Sequence, residues 1–173
     1  MESKHPEFKV HGHEHTAEVL FHPHGHRKHT VAISVNNTKN SEEILDWALD
    51  NVIDKEADTV VLISVSELVS GEHLVAKNEN EETQIDLKRE DNSSHSVVSK
   101  FGHKLHQEGY HVQAFSLSGD PGHEIVKKVT ELDVSHLIVG SSNLSGLKKA
   151  YIGSVSKYCT KHCKCAVTVI KTH

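Results

Sequence analysis

The chain has 173 residues, 36% hydrophobic and 25% charged, which suits one compact core with a tail, since single domains commonly hold roughly 100 to 200 residues. Its formal net charge of -5 at pH 7 excludes a general nucleic-acid surface, which needs clustered Lys and Arg to displace counterions from phosphates. No apolar run approaches the roughly 20 residues that cross a bilayer, and the stretch from Met1 to Val10 is polar, without the apolar segment of a secretory signal; a cytoplasmic location and no membrane partner are expected.

Residues 1–28 stand apart: with His29 they hold eight of the 17 histidines and show no helical or alternating apolar pattern. They read as a disordered, His-rich tail ahead of a domain at 29–173. The imidazoles of His11, His13, His15, His22, His24 and His26 suit zinc, copper or nickel. A flexible tract lacks ordered partners to orient them, so no dedicated metal site is assigned. The bland reading is a solvated segment that becomes cationic below about pH 6.5.

Thr30 to Val35 (TVAISV) is a short β-branched run of the kind buried on both sheet faces. Within the NNTKNSEE that follows, Asn40 or Ser41 can cap a helix, and Glu42 and Glu43 suit its positive end. Ile44, Leu45, Ala48, Leu49 and Val52 follow at helical spacing. Thr59 to Val65 (TVVLISV) makes a second strand, far enough downstream for a helical crossover and parallel pairing. The polar insert at 66–94 is too charged and aperiodic to pack a core and reads as a flexible surface loop. Val97, Val98, Phe101 and Leu105 mark the next helix, which Gly109 can terminate. His111 to Leu117 is the third strand, and Gly119-Asp120-Pro121-Gly122 turns into a helix with Ile125, Val126, Val129 and Leu132 inward. Leu137 to Val139 forms the fourth strand, a helix from about Ser154 follows, and Ala166 to Ile170 is the fifth. This alternation predicts an α/β fold: an open, doubly wound, five-stranded parallel sheet with helices on both faces. In such sheets ligands sit beyond the carboxyl ends of the strands, where the winding reverses.

The segment from Gly140 to Ser156, GSSNLSGLKKAYIGSVS, has the composition of an anion cradle. Glycine lets backbone approach a phosphate closely, and the free N–H groups at a helix start attract the anion. Ser154 and Ser156 can add hydroxyl donors. An ordinary glycine-rich turn capped by serine has the same composition. Gly140, a two-residue gap, position 143, nine residues and then Gly153-Ser154 resembles the ATP loop of universal stress proteins. The first strand with its helix ILDWAL, the VVLISV strand, the GDPGHEI turn and the LIVGSS approach resemble that family in order and spacing, over about Lys28 to Lys171; YIGSVSKYC resembles its eukaryotic members.

The resemblance implies a Rossmann-like, ATP-binding protein, with magnesium at the phosphates, that acts in stress response or signalling. Val139, Gly140, Ser142 and Asn143 match the loop that touches ribose and the first phosphates, and Gly153, Ser154, Val155 and Ser156 match its second half. Ser34, Val35 and Asn36 match the segment that contacts the nucleoside, and Val65 the backbone position flanking adenine. Asn36 stands where the family usually has Asp, which removes a charge and keeps one carbonyl acceptor. Asn143 replaces a loop glycine, and asparagine enters left-handed backbone more readily than most residues. The resemblance also implies a homodimer through the fifth strand, whose AVTVI run otherwise leaves an exposed edge.

Cys159, His162, Cys163 and Cys165 are zinc-compatible in type, but helix and strand mouth do not bring four ligands together, and buried cysteine acting as a small hydrophobe is favoured. Clustered in one short stretch, the cysteines cannot staple distant parts of the chain, which fits a reducing compartment. Lys148 and Lys149 read as solvated charge. No Ser/His/Asp arrangement, paired carboxylates or Walker-type run is evident, and no base stands ready to activate water, so any ATP hydrolysis is expected to be slow. Two other readings compete: a nucleotide-free interaction protein with a vestigial phosphate loop, and a metal-handling protein using its His-rich tail.

Overall fold

The computed structural model describes residues 8–9, 17–21, 29–66, 94–141 and 152–171. In chain order the elements are β1 (Phe8–Lys9), β2 (Ala17–Phe21), β3 (His29–Ser34), α1 (Lys39–Asn51), β4 (Asp58–Ser66), α2 (Ser94–Gln107), β5 (His111–Ser118), α3 (Pro121–Glu131), β6 (His136–Gly140), α4 (Ser154–His162) and β7 (Ala166–Ile170). They build one sheet in the order β1-β2-β5-β4-β3-β6-β7. The strands from β3 to β7 pair in parallel. This is the expected open, doubly wound α/β sheet.

The period-two alternation of a strand sends successive side chains to opposite faces, and each face has its own core. Val31, Ile33, Val60, Leu62, Val112 and Ala114 pack under Ile44, Leu45 and Ala48 of α1 and Val98, Phe101 and Leu105 of α2. Ala32, Val61, Ile63, Phe115, Leu137 and Val139 pack under Ile125 and Val129 of α3 and Cys159 of α4. Each fully buried aliphatic side chain contributes about 1.5–3 kcal/mol from apolar transfer. β4, in the middle, is buried at every position from Asp58 to Ser64, which is why its sequence is an unbroken apolar run rather than an alternating one.

Two local expectations change. Within the segment expected to be a disordered tail, Ala17–Phe21 forms β2, antiparallel to β5 with Val19 opposite Ala114, and Phe8–Lys9 pairs with β2. The edge of β5 presents a row of backbone donors and acceptors, and a five-residue run with extended backbone satisfies them. The remaining tail, including its six candidate metal-binding histidines, and the insert at 67–93 lie outside the described residues. The cap of α1 is Thr38, in extended backbone, rather than Asn40 or Ser41. Both of those lie inside the helix, because Ser41 turns inward to bond the preceding loop. The glycine expected to end α2 does so: Gly109 adopts φ 84° and its N–H donates to His106 O.

Candidate functional site

From β3 the chain steps outward through β4 to β5, then returns to place β6 on the other side of β3. The winding therefore reverses between β3 and β6, and a crevice opens beyond the carboxyl ends of these strands. A cavity of about 530 Å³ lies there, within the range of ordinary small-molecule sites. Ten of the twelve residues expected to contact nucleotide line it: Ser34, Val35 and Asn36 after β3, Val65 in β4, Val139 and Gly140 in β6, and Gly153 to Ser156 at the start of α4. The other two, Ser142 and Asn143, lie outside the described residues, as do Lys148 and Lys149.

The lip over β3 is fixed by its own hydrogen bonds. The Asn36 N–H donates to Ser41 Oγ at 2.8 Å, and the Ser41 hydroxyl donates to Asn36 Oδ1 at 2.7 Å. Thr38 Oγ1 donates to the same carbonyl at 2.5 Å instead of capping its own helix. The backbone N–H of Thr38 donates to Asn36 O, and that of Ser41 to Thr38 O. Ser41 is 2% exposed, so its two bonds to Asn36 form in a partly desolvated corner where leaving them unmade is costly, whereas the Thr38 bond is exposed.

Across the cavity α4 begins at Gly153, which has extended backbone and supplies no side-chain cap. The Gly153 carbonyl takes the Lys157 N–H and the Ser156 hydroxyl. The N–H groups of a first helical turn have no acceptor within the helix, and those of Ser154, Val155 and Ser156 stand at the cavity with the partial positive charge of the helix start. Ser154 is exposed, so its hydroxyl is free to reach a ligand, whereas Ser156 is 1% exposed with its proton on Gly153. The helix is held down by Cys159, whose thiol burial pushes up to about 11. Among the described residues, no carboxylate, imidazole, lysine or arginine lines the cavity. What it offers is hydroxyls, amides and backbone, a set that binds and orients rather than transfers protons.

Thr38, Asn40, Ser41, Ile44, Pro121, Ile125 and Ser141 also line the cavity, beyond the residues expected from the sequence. Thr38 and Ser41 were findable as the polar positions just past the end of the first strand. Pro121 was findable from the turn after β5, which starts α3 with Asp120 capping the His123 N–H at 2.8 Å. Ile44 and Ile125 carry no such signal, because an apolar residue on a core-facing helix stripe looks the same whether or not a cavity opens above it.

A doubly wound parallel sheet with a cavity at its winding reversal, rimmed by an uncapped helix start, defines an open α/β fold of the kind whose ligand crevices lie at such a reversal. The universal stress protein family model matches residues 27–171, and the chain belongs to that family. A universal stress protein A-like protein of Arabidopsis thaliana is 35% identical over 75 residues, 43% of each chain. Universal stress protein YxiE of Bacillus subtilis is 25% identical over 152 residues, 82% of this chain and 97% of that one. The match thus spans less than half of the first relative and nearly all of the second. Among solved structures, a universal stress protein family protein from Arabidopsis thaliana with AMP bound superposes with a TM-score of 0.64 at 21% identity, over 84% of this chain and 92% of that one. A universal stress protein in complex with cAMP superposes with a TM-score of 0.54 at 15% identity, over 84% and 98%.

Proposed function

We propose that this universal stress protein binds an adenine nucleotide, ATP with magnesium, in the cavity between β3 and β6. It acts in the cytoplasm as a stress-response or signalling module and hydrolyses ATP slowly if at all. The single observation that carries the reading is the start of α4: three first-turn amides with no side-chain cap open onto a cavity of nucleotide size. AMP and cAMP in two structural neighbours support the same ligand class. The hydroxyl and amide lining fits a magnesium ion held by phosphate oxygens and water rather than by protein carboxylates; when bound, the ion neutralises phosphate charge. The chain's own part is to seat phosphates on the Ser154–Ser156 amides and hold the nucleoside against the Asn36 lip.

The β7 strand supports a homodimer. It lies at the sheet edge, and Val167, Val169 and Ile170 are only partly buried.

Calorimetric titration of the full chain with ATP and magnesium tests the proposal. The wild type gives a saturable isotherm, and Gly153→Asp abolishes it. Aspartate is a favoured N-cap, so α4 remains folded while the carboxylate takes the amides that a phosphate needs. Undiminished affinity in a folded Gly153→Asp protein overturns this site. A flat wild-type titration leaves the interaction-protein reading in its place.

A further inference from the structure

Three thiols gather where α4 hands over to β7, at the end of the helix away from the nucleotide cavity. Cys159 is fully buried on the last turn, Cys163 closes the helix in extended backbone, and Cys165 stands one residue ahead of β7. From Cys163 onward the side chains alternate as extended backbone dictates. Cys163, Cys165, Val167 and Val169 pack against the core that α3 and α4 cover, while Lys164 and Ala166 are exposed. The Cys163 thiol lies within hydrogen-bonding reach of both Cys159 and Cys165. All three are free cysteines, and Cys163 and Cys165 are only half-buried, so solvent reaches them.

The spacing decides what can join them. A disulfide wants Cβ atoms about 3.5–4.5 Å apart, whereas next-but-one residues on one face of an extended chain stand roughly 6–7 Å apart. Cys163 and Cys165 therefore do not close directly without buckling the chain. A single atom bonded to both sulfurs spans the gap. Soft thiolates select Cu(I), zinc or iron–sulfur clusters. Structural zinc and iron–sulfur clusters take four protein ligands, and among the described residues no group of three His, Cys, Asp or Glu is placed to hold a metal. Cu(I), with its filled d shell, is satisfied by two sulfurs in line.

We propose that Cys163 and Cys165 form a two-coordinate Cu(I) site at the junction of α4 and β7, with Cys159 packed behind it as a supporting residue. Binding replaces the two S–H protons, which pass to water, by one copper–sulfur bond at each sulfur. Copper enters and remains as Cu(I), and nothing is oxidised. The product carries one negative charge, which the last carbonyls of α4 oppose. The exposed Lys161 and Lys164, on either side of Cys163 in the chain, offset it.

The test titrates the reduced full chain with Cu(I) under anaerobic conditions, against a Cu(I)-specific chelator, and follows the thiolate-to-copper charge-transfer absorption in the ultraviolet. Wild type gives this band with one copper per chain and releases two protons per copper bound. Imidazoles give no such band, so copper held by the His-rich segment is counted apart. Loss of a supporting residue costs a metal site roughly 10–100-fold; Cys163→Ser and Cys165→Ser each weaken binding by more than that range, and Cys159→Ala falls within it or below. A wild type without the band, or with fewer than two protons released, overturns the site whatever the variants do. So does a band that survives either serine variant, or a loss in Cys159→Ala as large as theirs.

Discussion

A Cβ placed on Gly140 would stand 2.5 Å from Cδ1 of Ile44, so β6 and α1 approach at the cavity floor as closely as the absence of a side chain allows. The obstructing atom is the tip of a flexible chain, and rotation can relieve the contact. Ile44 is 3% exposed, however, and has little room to turn except into the cavity. Gly140→Ala is expected to cost about 1–3 kcal/mol by overpacking and to weaken nucleotide binding through the displaced Ile44. Adding Ile44→Val removes the clashing methyl and restores part of both. Urea unfolding of the two single variants and the double variant measures the coupling; strict additivity is the contrary result.

Ser41→Ala has a stability readout independent of any ligand. It removes the acceptor for the Asn36 N–H and one donor to its side-chain carbonyl at a site 2% exposed. A loss of about 1–3 kcal/mol is expected by urea unfolding. An unchanged unfolding midpoint means that water replaces both bonds.

Asp120 is the one side chain found capping its own helix among α1, α3 and α4. Asp120→Ala should cost about 1 kcal/mol, read as a fall in melting temperature of roughly 2–4 °C for a chain of this size. Asp120→Asn keeps the acceptor, and its melting temperature should stay close to that of the wild type.

The cysteines set a pH dependence whose direction follows from burial. Burial pushes the Cys159 thiol up to about 11 and that of Cys163 to about 12, from an ordinary value near 9. The unfolded chain releases these protons near pH 9 while the native state still holds them, so the unfolded state binds fewer protons and stability falls as pH rises. The contribution is intact below pH 9 and is lost between pH 9 and about 12. Thermal melts over pH 8 to pH 11 should show the decline, shallower in Cys163→Ala; equal slopes refute it. With a pKa of about 11, Cys159 is thiolate in roughly one molecule in a thousand at pH 8. A disulfide reagent should therefore modify it far more slowly in the native protein than in urea.

The parallel sheet was legible because its strands are buried on both faces, so Val31 to Ile33, Val60 to Ile63 and Leu137 to Val139 appear as unbroken apolar runs. Most of the cavity was legible for a related reason: a switch-point site is built from residues immediately past strand ends, and Asn36, Gly140 and Gly153 lie at such boundaries. β2 was not. Five residues among histidines carry little periodic signal, and what holds them is a partner edge more than ninety residues away, opposite Val112 to Ser116. The capping of α1 failed through competition between hydrogen bonds. Asn40 and Ser41 are both caps by residue type, but the Ser41 hydroxyl is claimed by Asn36, five positions earlier.

The pairing of β2 with β5 bears on how the molecule can be shortened. Cutting the chain ahead of His29, the natural place to trim if that segment is taken as dispensable, would strip the outer flank of β5 and leave two raw seams on the sheet instead of one flank fastened by the chain itself. Such a truncate invites strand-to-strand clumping at its new seam, and aggregation in it would report on lost cover, not on lost ligand.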